Sequence, residues 1–327
     1  MTQIIVRLMS QRGAPDELLL KSHLPGGSLD QGDFRFTVSE ERADVVVVLN
    51  YLKYDTEITS RSGYIWCWHN EPIVRKPFPR GFDRILTHED SSDPRVVKKP
   101  PVLDWWVHKS WDELSKLKAP QKSDSVSVIA SNKEMISGHQ RRNAFIDVLS
   151  REFPNLPIFG EGRAESLDDK WDGLHKYRYS VAIENTSKPD YWTEKIADCF
   201  LSYTVPIYFG ATNIGDYFPS DSFIWLPIND DKEALETIRR CMSDNHWEAR
   251  LPALHEARRK LLNQYSLFGQ VQALIRTEAE TIRHRAFEKT RVHGRRTRQG
   301  GWVRGAGLYG NLKNQVLRFR GRFGKKS

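Results

Sequence analysis

Between residues 181 and 209 the chain reads VAIENTSKPDYWTEKIADCFLSYTVPIYF. Glu184 closes an apolar run and is followed by Asn185, and a polar turn then leads to Tyr191, Glu194 and Lys195 at the start of a predicted helix. Charged groups gathered where a strand yields to a helix N-terminus suit a charged, hydroxyl-rich ligand. A lysine there can meet a phosphate, and a carboxylate can accept hydrogen bonds from sugar or ribose hydroxyls. The plainer reading is a loop acid, two solvated charges and a core tyrosine, with Asp190 or the Thr193 hydroxyl capping the helix. Glu194 and Lys195 are adjacent and point about 100 degrees apart on a helix, which predicts no ion pair of the usual spacing between them.

A second group of charges lies upstream. The segment HQRRNAFIDVLSREF, 139–153, predicts an amphipathic helix after the strand SVSVIAS, 125–131. Arg141 and Arg142 at its start are poorly placed for the helix dipole, which favours anions there, but well placed to clamp a diphosphate. Lys133 in the intervening loop is a further candidate, and a solvated pair is the alternative. In the first half, WCWHNEP, 66–72, sets His69, Asn70 and Glu71 directly after a strand. Either Glu71 or His69 could act there as a general base toward a hydroxyl, and an ordinary polar loop has the same composition. The chain has no Walker A loop, strand-linked GxGxxG, HExxH or GxSxG. The doublets Asp168–Asp169 and Asp230–Asp231 lack further oxygen ligands in sequence, so no metal site is assigned.

These residues need a scaffold. Strands are predicted at 4–8, 44–49, 64–68 and 84–87, and the four consecutive valines of the second read as buried on both faces. Further strands at 125–131, 158–160, 177–183, 205–209 and 223–226 alternate with helices over 139–153, 192–203, 231–242 and 247–264. Such alternation predicts an open, mostly parallel sheet covered on both faces. A last helix is expected over roughly 266–288. The polar, Pro-containing stretch within 111–124 marks a boundary, giving domains at 1–120 and 121–290 and a tail at 291–327. A chain of 327 residues is long enough for two α/β domains, and its 36 aromatic residues argue against disorder.

Charge is distributed unevenly. Residues 283–327 hold 14 Lys or Arg against one acid, Glu288, so with a formal total of +8 the preceding residues carry −5. The basic character belongs to the tail, whose 311–323 stretch reads as a weakly amphipathic helix suited to an anionic surface. Nucleic acid is not expected as a partner, since no RNA-binding fold accompanies the Arg/Gly residues. No apolar run is long enough to span a bilayer, and MTQIIVRLMSQR reads as a strand without a signal-peptide core. The three scattered cysteines, Cys67, Cys199 and Cys241, fit a reducing cytoplasm.

The segment IENTSKPDYWTEKIADCFLSYTVPIYFG resembles the donor-binding motif of the alpha-1,3/1,4-fucosyltransferases, glycosyltransferase family ten, in its bacterial type. SNKEMISGHQRRNAF resembles the family segment in which an Arg before Asn-Ala-Phe meets the donor diphosphate, and that match lands on Arg142. YIWCWHNEP followed by FDRILTHED is similar to the acceptor-domain segment with the proposed catalytic carboxylate. The resemblance implies two Rossmann-like domains facing across a cleft, the glycosyltransferase-B architecture, here with a basic C-terminal tail. It implies transfer of fucose from GDP-fucose, with inversion, to O3 of GlcNAc or Glc in a glycan acceptor. By the same resemblance Glu184 faces the reaction centre, Asn185, Tyr191, Glu194 and Lys195 surround the nucleotide sugar, Arg142 offsets charge on GDP, and Glu71 is the base. The family often has two acids around the Asn before Pro; here His69 replaces the first, leaving His69 and Glu184 as alternatives for the base.

GDP-fucose would be a substrate, with no cofactor and no required divalent metal. The implied acceptor is an oligosaccharide, glycolipid or lipopolysaccharide-type glycan. The tail would hold a cytoplasmic enzyme at the inner face of the membrane. A transferase of another nucleotide-linked sugar and a non-catalytic glycan- or membrane-binding module are the alternatives.

Overall fold

The computed structural model describes residues 2–10, 15–72, 77–102, 105–132, 137–163 and 165–294. The chain forms two compact α/β units. One takes Met1–Val102, Lys109–Glu113 and the chain from Leu267; the other takes Leu103–His108 and Leu114–Ser266.

The first unit begins with β1 (Ile4–Ser10), α1 (Glu17–Ser22), β2 (Asp30–Gln31), β3 (Phe34–Thr37) and β4 (Val45–Leu49). It continues with β5 (Thr56–Arg61), β6 (Ile65–Trp68), β7 (Arg84–Thr87) and β8 (Val96–Lys98). The main sheet has the order β2-β3-β1-β4-β6-β7-β8, with β2 antiparallel to β3 and the other pairings parallel. Side chains alternate across a strand, so the valine run divides between two cores. Val45 and Val47 pack with Val6, Phe36 and Trp66, whereas Val46 and Val48 pack with Ile65, Cys67 and Ile85.

In the second unit α2 (Trp111–Lys116) lies at the chain division, followed by β9 (Asp124–Ile129), α3 (Ser137–Glu152), β10 (Ile158–Phe159) and β11 (Tyr177–Ile183). After these come α4 (Glu194–Leu201), β12 (Val205–Phe209), β13 (Ile224–Trp225), α5 (Asp231–Ser243) and α6 (Leu251–Lys260). The sheet order is β10-β9-β11-β12-β13, every pairing parallel. The chain leaves β9 for β10 on one side and then crosses to β11 on the other. The connections after β9 and β11 therefore run in opposite directions and leave a crevice at the carboxyl ends of these two strands.

The end of the described chain departs from the expected single helix over 266–288. It forms α7 (Leu267–Arg276), α8 (Ala279–His284) and β14 (Phe287–Val292). It also belongs to the first unit rather than to a domain ending at 290. Leu267, Phe268, Val271, Ile275 and Ile282 enter the same core as Val45, and β14 pairs antiparallel with β5 from Phe287↔Arg61 to Val292↔Thr56. Buried Val292 completes the other core, and the guanidinium carbons of Arg42 and Arg61 lie 3.7 and 3.9 Å from the Phe287 ring centre. Local helix propensity yields here to a six-residue ladder and a buried valine. Of the predicted tail, residues 291 and 292 close β14, and 295–327 lie outside the described residues. Among the described residues no helix is long and apolar enough to cross a membrane.

Candidate functional site

Glu184 follows β11 directly, and its N–H donates to Phe209 O at 2.8 Å, continuing the ladder one residue past the strand. The side chain is 1% exposed. Its Oε1 accepts from the Thr193 N–H at 2.7 Å, the Thr193 hydroxyl stands 2.7 Å from Oε2, and Lys195 Nζ donates to Oε2 at 3.2 Å. Thr193 is the N-cap of α4, its hydroxyl accepting from the Lys195 N–H. The strand-end acid is thus fastened to the helix start. Burial raises its pKa above the ordinary value, while Lys195 and the Thr193 bonds oppose that shift.

Two glycines permit the approach. A Cβ on Gly210, just after β12, would stand 2.2 Å from the Tyr208 hydroxyl and 2.5 Å from Glu184 Cγ. A Cβ on Gly138, in the first turn of α3, would stand 1.8 Å from the backbone oxygen of Asn185. The helix after β9 and the turn after β11 therefore touch through backbone.

Arg142 bridges the same crevice. It is buried, donating from Nη1 to Asn185 Oδ1 at 2.8 Å and from Nη2 to Ser131 O at 2.9 Å. Because α3 begins at Ser137, Arg142 sits in the second helical turn and reaches back to the loop after β9. Arg141 is exposed and lies over Phe209, 5.3 Å from the ring centre. Lys133 lies outside the described residues.

Glu194 and Lys195 overturn the expected separation. Lys195 Nζ stands 3.6 Å from Glu194 Oε1 as well as beside Glu184, because its long side chain turns back across the first helical turn. Burial disfavours the Glu194 charge, but Lys195 and Lys170 prevail and bring its pKa to about 2. Tyr191 is 1% exposed, the core placement that its sequence context allowed. Asp190 adopts a φ of 64° and accepts from Asn213 Nδ2 at 2.8 Å and from the Tyr217 hydroxyl at 2.6 Å, which fixes the turn before α4. Glu184, Asn185, Thr193, Glu194, Lys195 and Arg142 therefore meet at one sheet edge.

Sequence reasoning missed Lys170 and Asp198. Asp198 lies one turn after Glu194 on α4, a spacing that could have been noticed, whereas Lys170 arrives from a separate turn with no signal in its spacing. The acidic doublets resolve as caps: Asp169 accepts from the Trp171 N–H at 2.9 Å and Asp230 from the Glu233 N–H at 3.1 Å. Among the described residues no group of His, Cys, Asp and Glu is arranged to hold a metal.

In the first unit His69 and Asn70 are buried beyond β6, and Glu71 is half-buried. The Asn70 N–H donates to Asn50 Oδ1 at 2.9 Å, and Asn70 Oδ1 accepts from the Val102 N–H at 3.0 Å. The His69 ring lies 5.6 Å from Phe78 and 6.1 Å from Tyr51, between ring centres.

Residues 119–246 match the family model described as glycosyltransferase family 10 (fucosyltransferase), C-terminal. An alpha-(1,3)-fucosyltransferase of Helicobacter pylori is 30% identical over 181 residues, 50% of this chain and 36% of that protein. A fucosyltransferase-like protein of Arabidopsis thaliana is 25% identical over 169 residues, 51% of this chain and 31% of that protein. The chain thus spans about a third of the length of these curated relatives. A crystal structure of an alpha1,3-fucosyltransferase with GDP-fucose is similar at a TM-score of 0.48 and 17% identity, covering 78% of this chain and 82% of that one.

Proposed function

We propose, from the premise that residues 119–246 are of glycosyltransferase family 10, that the chain is an inverting alpha-1,3-fucosyltransferase-like enzyme. The carrying observation is that this matched segment contains Arg142, Asn185, Glu194 and Lys195, gathered at the switch point of a parallel sheet. A nucleotide diphosphate would find cations and helix-end amides there, and sugar hydroxyls would find an ionised carboxylate. Glu184 holds the start of α4 through Thr193 and acts on the donor through Lys195 and Glu194.

Inversion takes one displacement. The acceptor hydroxyl oxygen bonds to the anomeric carbon as the bond from that carbon to the GDP oxygen breaks. The hydroxyl proton passes to a base, which we assign to Glu71, and Arg142 and Lys195 offset the charge developing on the diphosphate. The acceptor is proposed as a glycan bearing GlcNAc or Glc, oligosaccharide or lipopolysaccharide-type, and the glycosyltransferase-B arrangement belongs to the same proposal. So does a cytoplasmic enzyme held at an anionic membrane surface through 295–327.

A donor screen with mass detection, using galactose- and N-acetylglucosamine-containing oligosaccharides, tests this reading. It expects a fucosylated product and released GDP; product from a different nucleotide sugar alone would replace fucose in the assignment. Glu71→Gln should lower kcat by about a hundredfold or more, the scale of general base catalysis. A full-rate Glu71→Gln enzyme would remove the base assignment from Glu71. Removal of 295–327 should release the protein from phosphatidylserine vesicles while leaving turnover on a soluble acceptor intact; unchanged binding rejects the membrane role.

A further inference from the structure

The charges of the donor edge continue inward. Lys170 Nζ stands 2.9 Å from Asp198 Oδ2 and 3.6 Å from Glu194 Oε1. Lys195 approaches that same Glu194 oxygen at 3.6 Å and Glu184 Oε2 at 3.2 Å. Acid and base alternate along one path: Asp198, Lys170, Glu194, Lys195, Glu184. The inner end is fixed, because Asp198 Oδ1 accepts from the Trp106 N–H at 2.7 Å. Lys170 is held as well: its ammonium lies 4.7 Å from the Trp106 ring centre, and Asp169 caps the turn that carries it. Lys170, Lys195 and Asp198 line one cavity behind the helix start.

We propose that Lys170 is a positioning residue that holds the Glu194 carboxylate ionised and in one orientation for the hydroxyls of the donor. The inference rests on the donor-site reading above. The charged groups around Glu194 are Lys195 and Asp198 on its own helix, Glu184 from just beyond β11, Lys170 from the capped turn and Arg142 from α3. With Lys170 present, three cations face three acids. Without it, three buried acids share two cations, and the cheapest relief is for an acid to take up a proton. A protonated Glu194 would present an O–H donor where the donor's hydroxyls require an acceptor. Lys170 reaches the nucleotide sugar only through Glu194.

The test is GDP-fucose affinity by calorimetry on the full chain, from about pH 8 to about pH 5.5, where an unhindered Glu194 stays ionised. Wild type and Lys170→Arg should bind with flat pH profiles. In Lys170→Met the affinity should fall on the acid side, by up to about tenfold per pH unit. That fall should vanish in Lys170→Met/Glu194→Gln. Lys170→Gln, which keeps a polar group beside Asp198 without the charge, should show the same acid-side loss if Lys170→Met folds poorly, whereas Lys170→Met/Asp198→Asn, which leaves two acids facing two cations, should return to a flat profile. A flat Lys170→Met profile, a loss equal at every pH, or a pH dependence that survives Glu194→Gln would overturn the inference. Failure of the donor reading is separate: Glu194→Gln alone would then bind GDP-fucose like the wild type.

Discussion

At the scale of single residues, Thr193 does most to turn a pattern of charges into a site. It offers both its N–H and its hydroxyl to a carboxylate that is 1% exposed, so Glu184 keeps its position without facing solvent. Thr193→Val should cost about 2–3 kcal/mol in urea unfolding, because a buried carboxylate loses a charged hydrogen bond, whereas Thr193→Ser should be close to neutral. Glu194 makes a prediction about acid. Its pKa falls from 4.5 unfolded to about 2 folded, so the unfolded chain binds the extra proton between those values. Stability from this group is therefore present above pH 4.5 and is lost as the pH falls toward 2. The contribution is on the order of 3 kcal/mol, and Glu194→Gln should flatten the acid limb of a urea-against-pH series correspondingly. An equally steep limb in the variant would place the titration on another acid.

At the scale of elements, the site depends on how closely α3 and β12 approach the turn after β11. Gly138 and Gly210 allow it by lacking a Cβ. Gly138→Ala and Gly210→Ala should each lower stability by about 1–3 kcal/mol, the range for overpacking. Gly210→Ala should also weaken GDP-fucose binding, since its nearest obstacles include Glu184 Cγ. Gly215, with open space where its Cβ would lie, provides the control: Gly215→Ala should leave the melting temperature and donor affinity unchanged. Equal behaviour of all three variants would contradict the close approach. The sequence signal at this scale was good for β11, α4 and β12, where an apolar strand, a polar turn and a capped helix follow one another. It was weak for β3 and β8, which are short, for β5, whose TEITSR holds a single apolar residue, and for Lys170, which reaches α4 from a distant turn.

At the scale of the whole chain, the first unit is completed by residues that come after the second. α7 and α8 cover one face of its sheet, and β14 seals the other by laying Val292 against Val46 and Ile58. Val292→Ala should therefore cost about 1–3 kcal/mol in the unfolding of the first unit, the transfer and cavity cost of a core methyl pair. A surface substitution such as Lys289→Ala, at a mostly exposed ion pair with Glu57, should leave the unfolding midpoint close to that of the wild type. Comparable losses would mean that β14 is peripheral to the core. The matched family segment lies wholly within the second unit, so the donor reading draws on one unit and the base assignment on the other.

The amino-acid order by itself determined the α/β class, the buried valine strand and the strand–turn–helix segment from Glu184 to Lys195, because each depends on periodicity and neighbours within a few residues. Only the tertiary structure decided which charges pair. Lys195 lies between two acids, Lys170 supports Glu194 from a separate turn, and Arg142 spans from Ser131 to Asn185. Only the structure, too, returned 267–292 to the first unit, where a helical propensity gave way to strand pairing. The reason is the same in each case: a local pattern fixes which face a residue presents, while the partner on that face comes from a part of the chain that local spacing cannot identify.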